Sequence, residues 1–293
     1  MALNTYSGLS DDLLEYNKKV TMSYGTSGYP GMLQLYSLAS RKTPNIIALY
    51  ELGELEYYGK GPSGKINYNN AYMYYLKTLK LSNSHPLALW SIAYMKYHYG
   101  KKGSGLKYGT VPKLDEECIN GKKRFWYEDI INKVDQSYAY GCSAAANLIG
   151  QIILSSEEDF PERYKGKYKY EHAEKYFRES ADSGYIYGCN NYATYCAKEA
   201  LNTQSLDKKY RLMEESINYL MQSANNREPW ASNKLGTYYL SGYSIDNKNL
   251  LIQDYEIAYQ YFSNAIIMSA SRQYYWPVSY THLRAHETAP NLV

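Results

Sequence analysis

The chain has 293 residues, of which 45% are hydrophobic, and a formal net charge of +3 at pH 7. So mild a charge does not predict a nucleic-acid-binding surface. No apolar run reaches the roughly 18 residues of a membrane-spanning helix, and the N-terminus lacks the charged and apolar regions of a signal peptide. We therefore expect a cytoplasmic protein that does not enter a membrane.

Residues 1–30 predict an N-terminal helical cap or a partial repeat. Residues 10–24 have the pattern of one helix, with Ser10 as its N-cap ahead of Asp11 and Asp12. A capping helix and the remnant of a longer segment both remain open as interpretations.

Residues 31–276 contain two recurring blocks. The first is Ala or Gly, three residues, an apolar residue and a small one; its copies begin at Ala48, Ala88, Ala145, Gly188 and Ala231. The second has apolar residues three and four apart and begins at Leu33, Ala71, Ile130, Ala173, Ser216 and Ala258. This spacing is typical of a buried helical face, so each unit predicts two amphipathic helices. We expect Gly141 and Gly184 to end second helices.

This pattern resembles the Sel1-like repeat, a relative of the tetratricopeptide repeat. The resemblance is carried by Ala48 to Gly59, by Tyr74 and Tyr75, and by Tyr176 and Phe177. Ala93 and Ala193 stand where other copies have glycine, and the second helix starting at Ile130 lacks the aromatic pair. The resemblance implies an all-α, right-handed superhelical solenoid of antiparallel two-helix repeats, with an adaptor role that requires no catalysis.

The second repeat carries a long insertion at residues 100–127. Three basic residues there precede an aromatic triplet, and this combination is suited to an acidic peptide or a phosphate backbone. A solvated loop is the alternative. The candidate binding residues of the insertion are Lys122, Lys123, Arg124 and Trp126.

Several motifs suggest chemistry but lack the required context. The glycine-rich stretch from Gly59 to Lys65 is similar to a phosphate-binding loop, yet it lies between two predicted helices with no preceding strand. Residues 277–293 resemble translated sequencing adapter and are interpreted as a non-native tail, so His282 and His286 predict no metal site. We predict no catalytic residue, cofactor or metal. Buried, reduced thiols are expected at Cys118, Cys142, Cys189 and Cys196.

The first helices of stacked repeats are expected to line a concave surface that binds a protein or peptide partner. The candidate residues flank the apolar–small pair of each first helix: Glu51, Glu54, Ser91, Tyr94, Gln151, Asn191, Thr194, Lys234 and Thr237. The leading hypothesis is a protein-interaction scaffold of a bacterial cell. Two alternatives remain: the sensing or oligomerisation part of a bacterial transcription regulator, or the accessory repeats of an enzyme, with the DNA-binding or catalytic domain outside this sequence.

Overall fold

The computed structural model describes residues 37, 39–61, 64–100, 116–119, 122–125, 128–156, 169–245 and 248–272. Within these ranges the chain forms ten α-helices, one 3₁₀ turn and two short β-hairpins. The chain divides into two compact units, residues 1–140 and residues 141–293. The proposed cap at 1–30, the tail at 277–293 and Trp126 lie outside the described residues.

The described residues of unit 1 form four helices and one hairpin. These are α1 (Ile46–Tyr57), α2 (Tyr68–Leu81), α3 (Pro86–Tyr99), β1 (Glu116–Ile119), β2 (Lys122–Phe125) and α4 (Glu128–Ala139). Polar side chains cap the first three helices: Asn45, Asn67 and His85 accept hydrogen bonds from backbone N–H groups of the first turn. Helix α1 packs on α2, α2 on α3, and α3 on α4.

The insertion of the second repeat contains the antiparallel pair β1–β2, in which Glu116 lies opposite Phe125. Neither sequence interpretation of the insertion, as a binding segment or as a solvated loop, predicted this pairing. Residues 122–125 therefore belong to a strand, and the basic residues Lys122, Lys123 and Arg124 are consecutive along its backbone.

In the described part of unit 2 the chain forms six helices and a second hairpin. These are α5 (Ser143–Ser156), the 3₁₀ turn (Tyr170–His172), α6 (Ala173–Asp182), α7 (Ile186–Asn202), α8 (Leu206–Asn225), α9 (Pro229–Ser241), β3 (Tyr243–Ile245), β4 (Lys248–Leu251) and α10 (Tyr255–Arg272). Helix α5 packs on α6, α6 on α7, α7 on α8, α8 on α9, and α9 on α10.

The predicted helix pairing is confirmed. The first sequence block lies on α1, α3, α5, α7 and α9, and the second on α2, α4, α6, α8 and α10. Each first helix packs on the second helix of its own repeat. The protein thus has the predicted all-α architecture of two-helix repeats.

Glycine allows the two helices of three repeats to approach closely. A Cβ added at Gly53 would lie 2.5 Å from the Tyr75 ring, one at Gly150 would lie 2.7 Å from the Phe177 ring, and one at Gly236 would lie 2.8 Å from the Phe262 ring. All three pairs occupy the same positions of the repeat. Each aromatic ring therefore fills the space that the missing side chain leaves.

The two repeats without this glycine carry a smaller partner. Ala193 packs in one cluster with Leu220, which stands where Phe177 stands in the preceding repeat. In the other repeat, Ala93 stands at the glycine position and Val134 stands at the position of the ring, and both residues are buried. The departures from the family pattern are thus paired: glycine accompanies an aromatic ring, and alanine accompanies an aliphatic side chain.

A small hydroxyl residue lies seven positions into the second block of four repeats, and all four are fully buried: Thr78, Ser137, Ser180 and Ser223. The Ser137 hydroxyl donates to the Pro86 carbonyl at 2.7 Å, and the Ser180 hydroxyl donates to the Ser143 carbonyl at the same distance. Both bonds join the end of a second helix to the start of its first helix, as antiparallel packing requires. The Ser223 hydroxyl has no hydrogen-bond partner among the described residues.

The turns that follow the second helices use the left-handed backbone conformation. Gly141 has φ +83° and Gly184 has φ +82°, which confirms their predicted role in ending α4 and α6. The equivalent position after α8 is Arg227, with φ +61°. Arginine therefore occupies a conformation that its Cβ disfavours.

Candidate functional site

The predicted surface residues of unit 1 are largely withdrawn from solvent. Glu54 is 3% exposed, and its Oε1 accepts a 2.6 Å hydrogen bond from the Tyr75 hydroxyl of α2. Glu54 therefore points towards α2, and its prediction as a residue that lines an exposed binding surface is wrong. Gly53 leaves room for the Tyr75 ring, and this ring brings its hydroxyl to the carboxylate one residue further along α1.

Two acids lie one turn apart on α1: Glu54 is buried and Glu51 is partly buried. Burial, together with the negative charge of Glu54, raises the pKa of Glu51 to about 8. Burial raises the pKa of Glu54 to about 7, although hydrogen bonds from Tyr75 and Tyr50 oppose this shift. Desolvation disfavours the charged form of a carboxyl group, so both acids retain protons well above the ordinary pKa range.

Ser91 and Tyr94 lie on α3. Ser91 is 3% exposed, and its Oγ is 3.4 Å from the Tyr50 hydroxyl of α1. Tyr94 is partly buried between the rings of Trp90 and His98. Of the four candidates in unit 1, Glu51 and Tyr94 are therefore the ones that keep some contact with solvent.

The first helices of unit 2 present a row of asparagines, which we call the amide row: Asn147, Asn190, Asn191 and Asn233. The Asn191 Nδ2 donates a 2.7 Å hydrogen bond to Asn147 Oδ1 and so joins α7 to α5. Asn190 is 8% exposed, and its Oδ1 has no hydrogen-bond partner among the described residues. Buried polar atoms are normally bonded, so Asn190 is an interior amide of the row whose oxygen lacks the usual donor in the described part of the chain.

The other predicted residues of unit 2 lie beside the amide row. Thr194, Lys234 and Thr237 are exposed, whereas Gln151 is partly buried. Both threonine hydroxyls donate to backbone carbonyls of their own helices, at 2.8 Å for Thr194 and 3.0 Å for Thr237. The Lys234 ammonium lies 5.5 Å from the centre of the Tyr238 ring.

A second polar feature of unit 2 lies between α6 and α8, and the sequence did not predict it. A cavity of about 390 Å³, here called the α6–α8 cavity, is lined by Arg178, Asp182, Glu215, Asn218, Tyr219 and Gln222. All six residues belong to second helices, so the cavity is distinct from the amide row of the first helices.

Glu215 is the centre of the polar network at this cavity. Its Oε2 accepts hydrogen bonds from the Tyr192 hydroxyl at 2.8 Å and from the Arg178 guanidinium at 3.3 Å. Arg178 also donates to Glu174 at 2.9 Å and lies over the Tyr192 ring, 5.0 Å from its centre. Burial lowers the pKa of Arg178, but the hydrogen bond that Arg178 donates to Glu174 and the negative charges of Glu215 and Glu174 raise it above its ordinary value.

Cys142, Cys189 and Cys196 of unit 2 are buried and in the thiol form, as predicted. Burial raises the pKa of Cys189 to about 11 and that of Cys196 to about 12. Thiols with such pKa values carry little thiolate at neutral pH and are poor nucleophiles. The side chain of Cys118 lies outside the described residues.

Among the described residues, no group of three or more His, Cys, Asp or Glu side chains could hold a metal ion. No helix in the described part of the chain is long and apolar enough to cross a membrane. His85 acts as a helix cap: its Nδ1 accepts from the Ala88 N–H at 3.2 Å, and burial lowers its pKa to about 4.

No family model matches the sequence, and no curated protein matches it with significance. Among solved structures, the chain is similar to a Sel1 repeat protein from Oxalobacter formigenes, with a TM-score of 0.54 and 14% identity over 92% of this chain and 97% of that one. It also aligns, at a TM-score of 0.47, with a protective antigen of uropathogenic Escherichia coli that has an SLR fold (15% identity, 89% of this chain and 50% of that one). Immunity protein Pa5087 of Pseudomonas aeruginosa aligns at the same TM-score (13% identity, 84% and 83%). The similarity to the Sel1 repeat protein from Oxalobacter formigenes shows that this chain has the Sel1-repeat fold.

Proposed function

We propose that the protein is a non-enzymatic interaction scaffold, and that the first-helix surface of unit 2 binds an extended peptide segment of a partner protein. The observation that carries the proposal is the amide row. Asn147, Asn190 and Asn233 recur at intervals of 43 residues, at the same position of three successive first helices. The recurrence places the same hydrogen-bonding group on three successive first helices, where it is buried in Asn147 and Asn190 and exposed in Asn233.

A carboxamide is suited to peptide recognition because it offers both a donor and an acceptor. An extended peptide backbone presents the complementary groups, one N–H and one C=O per residue. Asn233 offers both groups to the guest on the exposed face of α9, and the Asn191–Asn147 bond orients two neighbouring amides before the peptide arrives. Such preorganisation lowers the entropic cost of binding.

The exposed residues beside the row would refine the specificity. Lys234 provides the positive charge on this part of α9, so an acidic side chain of the peptide would be favoured next to it. Thr194 and Thr237 present methyl groups, because their hydroxyls are bonded within their own helices. In unit 1, Glu51 and Tyr94 stay candidates for the same role, as do Lys122, Lys123 and Arg124 of the insertion.

We also propose a cytoplasmic location. The support is that the three described cysteines of unit 2 are buried thiols, because reducing compartments preserve thiols and oxidising ones favour disulfides.

The test is a selection of peptides from a random displayed library against the full chain, followed by fluorescence anisotropy with one enriched peptide. We expect Asn233→Ala and Lys234→Glu each to weaken binding by about five- to ten-fold, the loss of about one hydrogen bond or ion pair. Both residues are exposed, so circular dichroism melting curves should be unchanged.

Matched controls come from α8, which belongs to the second helices. Asn225→Ala and Lys208→Glu replace exposed residues of the same two types and should leave affinity within about two-fold. If no peptide is enriched, or if both pairs of variants behave alike, the first-helix surface is not the binding site. Asp182→Asn, in the α6–α8 cavity, should also have no effect on this peptide.

A further inference from the structure

We propose that the α6–α8 cavity is a second binding site, which receives the guanidinium group of an arginine side chain on a partner protein. This inference does not depend on the amide row, because every lining residue belongs to α6 or α8. A volume of about 390 Å³ lies within the range of small-ligand sites.

The lining of the cavity is rich in acceptors. Asp182 and Glu215 supply carboxylates, while Asn218 and Gln222 supply side-chain carbonyls. Each carboxylate uses one oxygen within the protein: Oδ1 of Asp182 accepts from the Tyr219 hydroxyl, and Oε2 of Glu215 accepts from Tyr192 and Arg178. Among the described residues, the second oxygen of each carboxylate has no donor.

Arg178, the basic residue of the lining, cannot neutralise the carboxylates of both Asp182 and Glu215. Arg178 donates to Glu174 and Glu215, and its guanidinium stacks on the Tyr192 ring. Glu174 adds a further negative charge beside the cavity. Carboxylates therefore outnumber cations, and the net local charge favours a positively charged guest.

A guanidinium fits this lining better than an ammonium ion. Its five N–H donors lie in one plane and can engage two carboxylates and an amide carbonyl together. The Tyr219 ring, held by the bond from its hydroxyl to Asp182, adds an aromatic face near the guest. The protein already contains such an arrangement: the Arg178 guanidinium donates to the Glu215 carboxylate and lies over the Tyr192 ring.

The experiment titrates Nα-acetyl-L-arginine amide into the full chain labelled with ¹⁵N and follows backbone amide shifts of residues 182, 218 and 222. Nα-acetyl-L-citrulline amide is the neutral control of the same shape. We expect saturable shifts with the arginine probe and about ten-fold weaker binding of the citrulline probe, because charge-assisted hydrogen bonds are lost.

Two conservative variants test the carboxylates. Asp182→Asn and Glu215→Gln keep the side-chain shape and should each weaken the arginine probe about five-fold. Glu179→Gln, on α6 but not in the lining, should change the affinity less than two-fold. Asp182 is exposed, so its variant should melt at the wild-type temperature.

Three results would overturn the proposal: no saturable shift, equal binding of the citrulline probe, or full affinity in both carboxylate variants. A titration with free L-arginine is a further test. If free L-arginine binds about ten-fold more tightly than the capped probe, the cavity recognises the free amino acid and the assignment to a partner's side chain is wrong.

Discussion

Gly150 of α5 lies directly against the ring of Phe177 of α6, so closely that a Cβ on residue 150 would be 2.7 Å from the ring. The same contact recurs between Gly53 and Tyr75 and between Gly236 and Phe262. In the remaining two repeats, alanine replaces the glycine and an aliphatic residue replaces the ring. The five repeats do not share the same residues at the positions of Gly150 and Phe177. They share the space that the two side chains fill together.

Gly150→Ala should lower the free energy of unfolding by about 1–2 kcal/mol, because overpacking against Phe177 exceeds the gain in helix propensity. Adding Phe177→Leu should recover stability, with a favourable coupling energy of about 1–2 kcal/mol in a double-mutant cycle. Urea unfolding followed by circular dichroism measures all four proteins. Additive effects of the two substitutions would show that the contact does not limit packing.

Ser180→Ala should destabilise the protein by about 1 kcal/mol, because the hydroxyl bond to the Ser143 carbonyl is lost. Ser223→Ala is the matched control: this serine is equally buried, but its hydroxyl has no partner among the described residues. Removing an unsatisfied hydroxyl should be neutral or stabilising by up to about 1 kcal/mol. Equal losses in both variants, measured by urea unfolding, would contradict this difference.

Arg227→Gly should raise the free energy of unfolding by about 0.5–1 kcal/mol. Relief of the left-handed backbone conformation outweighs the extra freedom that glycine gives the unfolded chain. The arginine side chain is exposed, so its removal costs little packing. Lys209→Gly, within α8, is a control with the opposite expected effect: it should destabilise the protein by about 1 kcal/mol. A lower melting temperature for Arg227→Gly would refute the prediction.

Stability should fall as the pH rises from about 5 to about 8, owing to Glu51 and Glu54. The folded pKa values, about 8 and about 7, exceed the ordinary value of 4.5. Between these limits the folded state binds more protons than the unfolded state, so raising the pH favours unfolding. The contribution is fully present below about pH 4.5 and is lost as the pH passes through the folded pKa values.

Glu54→Gln should flatten this pH dependence, since the amide oxygen can still accept from Tyr75 without ionising. Urea unfolding at several pH values measures the difference between wild type and variant, which should shrink or reverse as the pH rises. Glu256→Gln, at an exposed position of α10, serves as the control. A wild-type–variant difference that is constant from pH 5 to pH 8 would show that Glu54 does not bind the additional proton.

The helical pairs were predictable because their signal recurs. The apolar–small pair and the aromatic pair of the second helix repeat in register, so five weak local patterns support one interpretation. The turns at Gly141 and Gly184 were predictable for the same reason. The turn at Arg227 was not, because only the position, and not the residue type, marks its left-handed conformation.

The candidate sites were only partly predictable. Helical spacing placed Thr194, Lys234 and Thr237 on an exposed surface, but it placed Glu54 there as well, and the hydroxyl of Tyr75 holds that carboxylate in the interior. The recurrence of Asn147, Asn190 and Asn233 was a usable signal for the amide row. The α6–α8 cavity had no such signal, since Asp182 and Glu215 lie far apart in sequence and do not recur in register.

The matching of glycine with a ring, and of alanine with a smaller side chain, restricts how such an array can be shuffled during evolution. A duplication that copies a whole repeat carries both members of the pair and preserves the fit. A crossover inside a repeat separates the two members of the pair. Joining α7 to α6 would place the side chain of Ala193 against the Phe177 ring. Joining α5 to α8 would leave a void between Gly150 and Leu220. The loop between the two helices of a repeat is therefore a poor recombination point, whereas the turns at Gly141, Gly184 and Arg227 are good ones.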